Sequence, residues 1–407
     1  MKKLMILGGS SYVVPVIEKA HELGLYVITC DYLPDNVAHR YSDEYVNVSI
    51  IEKEATLAAA RERRIDGIIS FACDPGVVTA AYVAEKMGLP FQGSYESVRI
   101  LQDKGLFRQF LTENGFHSPH AKRYTDKNAP MQDIDYFNWP VIVKPVDSAG
   151  SKGITKVEKP ENLPQAVEKA FSGAHNGAFI IEDFIRFGSA HTTADVFTVD
   201  GKLTFTCYAD HVFDKEAENP YVPVCKLWPS QIPQMHQEYL TREMQRLMDL
   251  LHMRTGIYNV ETAVDVDGNP YLMEISPRGG GTQMALLEDM AYGTHLIENE
   301  IRKAVGLTLV EEEFAPLRGC WCGMVLHARP GQEGLLREVR IDDEVQRRYV
   351  QQLLLGVDPG AYVGPLTGAN KSLGDLFLHT ETREKMEQLI AENEKWLRII
   401  LQNRAFE

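Results

Sequence analysis

Long apolar runs are missing from this chain, and with them the transmembrane helix: no stretch approaches the ~18 residues that a span requires. Excess positive charge is missing too. Lys and Arg number 42 against 57 Asp and Glu, a formal charge of −15. That balance argues against a protein whose main task is to coat nucleic acid or an anionic membrane, because both reward net positive charge. An anionic ligand held in a locally basic pocket stays open. Cysteine is scarce. Cys30, Cys73, Cys207, Cys225, Cys320 and Cys322 form no repeated Cys-x-x-Cys pair, so neither a disulfide framework nor a zinc knuckle is indicated, and the cytoplasm is the expected compartment. Repeats and low-complexity tracts are lacking as well. Lys2 and Lys3 precede an apolar run of only four residues, Leu4–Leu7, before Gly8-Gly9; a secretory core needs about 7–15, so a first β-strand is expected there. What is present is the composition of an ordinary folded protein: 407 residues, 44% hydrophobic and 9% aromatic, enough for about two to three domains.

The first 93 residues alternate short apolar runs with helix-period segments. Leu4–Leu7, Tyr26–Cys30 and Ile68–Phe71 read as buried strands. Val13, Val16, Ile17 and Ala20, and then Val77, Ala80, Ala81 and Ala84, repeat at i, i+3, i+4, i+7 and give one apolar helix stripe each. Strand and helix in alternation imply a parallel sheet, whose ligands bind beyond the strand carboxyl ends. Those ends carry Gly8-Gly9-Ser10-Ser11, Asp31 and Ala72-Cys73-Asp74. From about residue 120 the pattern becomes α+β with antiparallel strands at Trp139–Lys144, Gly153–Val157, Phe179–Glu182, Thr192–Val199 and Leu203–Tyr208, and Asp200-Gly201 supplies a hairpin turn. Residues 211–232, with Pro220, Pro223 and Pro229, predict a long ordered loop. Past residue 316 two strands around Pro330-Gly331 are expected, then a final helix turning Met386, Leu389, Ile390, Leu397 and Ile400 inward.

Three segments carry chemistry. In the first, an apolar strand ends in Lys144 and is followed by Ser148-Ala149-Gly150-Ser151-Lys152-Gly153. Small residues let backbone N–H groups approach an anion, and a lysine inside an apolar strand needs an anionic partner. A flexible hairpin with solvated lysines is the plain alternative; a P-loop is excluded because no helix-opening Gly-Lys-Ser/Thr is present. The second segment runs from Gly256 to Gly281, with a hairpin turn at Asp267-Gly268. A two-residue loop sets Glu261 directly opposite Glu274, and a four-residue loop keeps them on one face; loops of three or five put them on opposite faces. Two carboxylates that close want a cation between them, and an all-oxygen set suits Mg²⁺ with substrate phosphates. Arg278 follows and could hold a phosphoryl group bidentately. The third, Ala178–Ile185, is an apolar strand running into Glu182, and alone it reads as a core strand ending in a surface acid.

In this order the segments resemble the ATP-grasp superfamily, and the resemblance covers nearly the whole chain: Asp103-Lys104 opening a helix before Gly115, Val143-Lys144-Pro145 with the small-residue loop, Ile181–Ile185, Glu261, and Glu274-Ile275-Ser276-Pro277-Arg278. The resemblance implies α/β plus α+β architecture: a Rossmann-like domain at 1–93, a helical linker at 94–118, small and large ATP-grasp subdomains at 119–185 and 186–315, and a closing α+β domain at 316–407. It implies an ADP-forming carboxylate–amine (or thiol) ligase working through an acylphosphate, with ATP and Mg²⁺, or Mn²⁺ in its place. Lys104 and Lys144 would contact the phosphates under the closing loop of Ser148, Ala149, Gly150, Ser151 and Gly153. Glu182 would accept from the adenine amino group, with Asp183, Phe184 and Ile185 along the base and His191 near the ribose. Glu261, Glu274 and Ser276 would bind metal, Ser276 standing where the family commonly has Asn. Arg278 would steady the phosphoryl group, and either Lys215 or Lys226 would reach the phosphates. Cys73 and Asp74 would face the carboxylate substrate. Homodimers are common in the family.

Two rivals are set against this. A nicotinamide dehydrogenase fits the parallel start and Asp31, but Gly8-Gly9-Ser10-Ser11-Tyr12-Val13 lacks Gly-x-Gly-x-x-Gly. An ATP-binding sensor without turnover is opposed by the retained Glu261, Glu274 and Arg278. Within the ligases, a single grasp unit speaks against carbamoyl-phosphate synthesis, and the lack of a lysine flanked by methionines speaks against biotin carboxylation.

Overall fold

The computed structural model describes residues 1–147, 153–174, 176–311 and 314–402. Among these residues the N-terminal strands β1 (Lys3–Leu7), β2 (Tyr26–Asp31), β3 (Glu44–Asn47) and β4 (Gly67–Ser70) form a parallel sheet in the order β3-β2-β1-β4. Three of the four were legible in the sequence. The short third strand, with only Val46 fully buried, lacked the apolar run that marked the others.

The second sheet holds β5 (Ala121–Tyr124), β6 (Val141–Pro145), β7 (Thr155–Val157) and β8 (Phe179–Asp183), ordered β5-β8-β6-β7. Tyr124, Phe137, Val141, Val143, Phe179 and Ile181 build a core of its own under the helix Leu163–Ser172.

Most of the remaining chain joins one large antiparallel sheet. Its strands are β9 (Phe187–Val199), β10 (Lys202–Thr206), β11 (Ala209–Phe213), β12 (Pro223–Trp228), β13 (Gly256–Asp265) and β14 (Pro270–Ser276), then β15 (Cys320–Leu326). The C-terminal part adds β16 (Gly334–Ile341), β17 (Val350–Leu355), β18 (Tyr362–Val363), β19 (Gly374–Thr380) and β20 (Leu397–Gln402), of which β17 and β19 extend the large sheet. The order is β14-β13-β9-β11-β12-β15-β19-β17, with β10 on β9 through a turn in which Asp200 and Gly201 both have positive φ, as a tight hairpin demands. β16, β18 and β20 make a separate small sheet.

Two sequence expectations are corrected here. The segment 211–232 is not one long loop: β11 and β12 flank a shorter connection, because Val224, Cys225, Leu227 and Trp228 have packing partners in β11 and β15 that local periodicity does not reveal. The expected final helix stops early. Met386 and Leu389 do lie buried on the helix Arg383–Ala391, but Leu397 and Ile400 belong to β20, where β16 supplies the hydrogen bonds. The outer face of the N-terminal sheet packs in one cluster with the large sheet: Leu4, Ile6, Phe71, Phe197, Trp228, Ile257, Met284 and Phe377 share it. Among the described residues no helix is long and apolar enough to cross a membrane.

Candidate functional site

Pairing across β14, β13 and β9 puts Glu274 opposite Glu261 and Glu261 opposite Thr193. Next to the turn the register is Val264 with Pro270 and Thr262 with Leu272, the odd-loop arrangement that by itself would face Glu261 with Met273. A β-bulge between Glu261 and Thr262 absorbs Met273 and brings Glu274 into line. The glutamates therefore share a face for a reason the loop count did not contain. The Glu261 carboxyl is pushed up to about 7, first by burial in the cleft and then by the Glu274 carboxylate. Lys104 Nζ lies 3.4 Å from Glu274. It begins the helix Lys104–Glu113, whose cap Asp103 accepts from the Gly105 and Leu106 N–H groups. Burial pulls Lys104 down, but Glu274, Asp74 and Glu261 outweigh it and keep it charged. Two carboxylates with one lysine cannot encage a metal alone, and among the described residues no three His, Cys, Asp or Glu side chains converge on one point. Two carboxylates do fit Mg²⁺ whose remaining ligands are phosphate and water.

Lys144 stands on β6 and ion-pairs with Glu182 on β8, while Arg108 Nε approaches the other Glu182 oxygen at 3.0 Å. Burial opposes the charge on Glu182, yet Lys144 and Arg108 win and hold its carboxyl at about 2. Glu182 is thus an anionic clamp on two cations, not the surface acid of a plain core strand. Its neighbour Phe184 gives its N–H to the Pro140 carbonyl at 3.0 Å, and Asp183 takes the Asn138 backbone and side-chain amides. Ile185 is left to begin the turn into β9. Ser148, Ala149, Gly150, Ser151 and Lys152 lie outside the described residues; Gly153, with φ +73, closes against Pro145.

Arg278 does not stand ready for a phosphoryl group. Its guanidinium grips Asp74 with Nε–Oδ1 and Nη2–Oδ2 both at 2.8 Å, and Nη1 donates to the Gly279 carbonyl. Ser276 is drawn into the same network: its hydroxyl donates to Asp74 Oδ1 and accepts from Gln102 Nε2, both at 2.7 Å, which occupies its proton and one of its two lone pairs. Asp74 begins a helix in the N-terminal domain, and burial notwithstanding, Arg278 holds its carboxyl below the usual range. Beside it, burial pushes the Cys73 thiol up to about 12, which makes it a neutral packing group.

His191 sits on the same face as Glu261, 3.8 Å away, with Nδ1 2.8 Å from His211 Nδ1; burial brings its pKa down to about 4, so both rings are neutral. Of the two alternative lysines, Lys215 is exposed on the connecting loop, whereas Lys226 is buried on β12 with Nζ donating to Thr282 Oγ1. The sequence reading missed Arg108, Gln102, Asp195 and Asp375. Three of these carried the signal used for Lys144: a charged residue inside an apolar stripe or strand, which has to find a partner. Asp195 finds the Gly280 N–H, at 2.8 Å, and Asn259 Nδ2, at 2.9 Å.

Residues 137–285 match the family model described as ATP-grasp domain. Over 395 residues the chain is 25% identical to the formate-dependent phosphoribosylglycinamide formyltransferase of Parasynechococcus marenigrum, covering 96% of this chain and 97% of that one. Among solved structures, the L-amino acid ligase from Bacillus licheniformis superposes with a TM-score of 0.81 at 20% identity, over 99% of each chain. Phosphoribosylglycinamide synthetase from Anaerococcus prevotii superposes with a TM-score of 0.77 at 18% identity, over 98% of this chain and 100% of that one.

Proposed function

From a chain that carries an ATP-grasp domain within an ATP-grasp fold, we propose an ATP-dependent ligase that joins a carboxylate to an amine through an acylphosphate and releases ADP and phosphate. The observation that carries this reading is the bulge-aligned pair Glu261 and Glu274. Burial first and the Glu274 carboxylate second raise the Glu261 carboxyl although Lys104 and Arg278 oppose the rise, so the two acids are not fully neutralised, and they would hold a divalent cation that supplies the remaining positive charge. Mg²⁺, when bound there, neutralises charge on the transferring phosphoryl group.

The chain's own groups divide the rest of the work. Lys104 flanks the glutamates on the cleft side, where it adds positive charge to the phosphates. Lys144, held by Glu182, does the same from the small sheet, and the strand leaving Glu182 offers backbone edges to a base. Arg278 acts through Asp74: the bidentate pair pins the loop Pro277–Gly281 against the N-terminal domain, so that the substrate cleft is framed on both sides. A substrate carboxylate attacks the γ-phosphorus and expels ADP; an amine then displaces phosphate from the acyl carbon. No protein nucleophile takes part.

The test is phosphate release from Mg·ATP with a panel of carboxylates, formate and the amino acids included, each alone and paired with amines. Release that requires a particular pair is the expected result, and it names both substrates. Glu274→Gln should abolish that release while the protein keeps a cooperative melting transition, because the repulsion lost on Glu261 offsets the attraction lost on Lys104. Full turnover in Glu274→Gln would remove the metal assignment.

A further inference from the structure

Strand register orders the charged groups of the large sheet along one face. Glu274 and Glu261 lead, on β14 and β13, with His191 on β9 beside them. His211 on β11 is paired with Lys226 on β12, Lys226 with Gly323 on β15, and Gly323 with Phe377 on β19. Paired residues share a face, and so do residues two apart. Asp375, two before Phe377, therefore points to the same side as Lys226, with Gly323 and Val325 on the strand between them.

Asp375 has an unusual environment. It is 2% exposed, and among the described residues none donates a hydrogen bond to its carboxylate and no cation lies within the 4.0 Å of an ion pair. Its neighbours across the strands, Val325 and Leu354, are apolar. The titratable groups that face it are Lys226 from β12 and Tyr12 from the turn after β1. Tyr12 has spent its hydroxyl on the Ala369 carbonyl and Ser372 Oγ, and Lys226 has turned its ammonium to Thr282 Oγ1. A buried carboxylate without a protein donor is costly, and a ligand ammonium would supply the donor it lacks. Burial pushes its pKa up to about 7, in the range of a base that works at neutral pH, with Lys226 opposing.

Lys226 feels Asp375 on one side and Asp195 and Glu261 on the other. The face thus runs from a cation-binding carboxylate pair, through a lysine suited to an anion, to a lone acid. That is the order of phosphate, acyl group and amine in the ligation proposed above, on which this inference rests. We propose that Asp375 receives the primary ammonium of the amine substrate and takes one proton from it, so that the neutral amine attacks the acylphosphate. The C–N bond forms and the C–O bond to phosphate breaks. Phosphate leaves with that electron pair and takes the second nitrogen proton, and Asp375 holds the first until solvent removes it.

Hydroxylamine separates the two half-reactions, because it is largely neutral at pH 7 and needs no base. With Mg·ATP and the carboxylate panel, the parent should form an acyl hydroxamate. Asp375→Asn should form it at a rate within about three-fold of the parent, while kcat/KM for an ammonium-bearing amine falls by 10²-fold or more. The parent's rise in amine kcat/KM through pH 7 should vanish in Asp375→Asn and persist, shifted, in Asp375→Glu. Unchanged amine kinetics in Asp375→Asn would overturn the proposal. So would parallel loss of hydroxamate and amide, which would mark Asp375 as a structural acid. Failure of the parent to form any hydroxamate points instead at the ligase reading, and takes this inference with it.

Discussion

Glu261 shows how much a single side chain reports about a missing partner. Its carboxyl sits near 7 where 4.5 is ordinary, raised by burial and Glu274. The sign of the linkage follows. The folded protein holds a proton here that the unfolded chain gives up above 4.5, so this residue's effect on stability is neutral below about 4.5 and increasingly unfavourable as pH climbs towards 7. A divalent cation with its nucleotide reverses that, because it binds the deprotonated form. Calorimetry of Mg·ADP binding at pH 6.5, in two buffers of different ionisation enthalpy, should therefore detect about one proton released; at pH 8.5 the release should be near zero. Equal proton counts at both values would mean that Glu261 does not face the metal. Glu182 is the opposite case, an acid so well paired with Lys144 and Arg108 that it stays ionised throughout.

At the scale of elements, the short stretch from Ser276 to Gly281 joins more of the site than its length suggests. Its serine and arginine reach Asp74, the Gly279 carbonyl accepts from the Ala72 N–H, and the Gly280 N–H lies on Asp195. A β-carbon at Gly280 would come within 2.9 Å of Asp195 Oδ1 and 3.0 Å of Asn259 Nδ2. Gly280→Ala should cost roughly 1–3 kcal/mol in denaturant unfolding. Because Asn259 stands two residues from Glu261 on the same strand, it should also raise KM for Mg·ATP; unchanged nucleotide kinetics would separate this segment from the glutamate pair. The sequence disclosed these elements unevenly. Lys144, Glu261 and Glu274 could be found because a charge in an apolar strand, or two acids across a turn, is a local conflict that asks for a partner, whereas Glu182 read alone as a surface acid and stood out only through the family resemblance. The bulge at Met273, the grip of Arg278 on Asp74 and the strands β11, β12 and β20 could not, because each is decided by a segment far away in the chain. Asp375 carried the same local signal as Lys144, in Gly374-Asp375-Leu376-Phe377, and went unread because no neighbouring motif drew attention to it.

For the molecule as a whole, the cores divide the labour. The N-terminal sheet and the large sheet share one hydrophobic cluster and must move together, while the small sheet β5–β8 keeps its own. Polar ties such as Arg108–Glu182 and Arg123–Asp103 connect it to the helix Lys104–Glu113. Such a body can rock without exposing apolar surface. Hydrogen exchange with Mg·ADP should accordingly slow most in β6, β8 and the segment 184–187, with little change in β1, β2 and β4; uniform protection would mean a rigid cleft. The continuous face from β14 to β19 has a further consequence for how such a protein can diversify. If the two sites lie as proposed, one hydrogen-bonded surface would carry the fuel at one margin and the guest at the other, and residues on β15, β19 and β17 could be exchanged like the bits of a screwdriver while the handle at β13 and β14 stays the same. On the assignment proposed for Asp375, a library confined to its strand neighbours Val325 and Leu354 would explore new amines while that acid and the glutamate pair are kept.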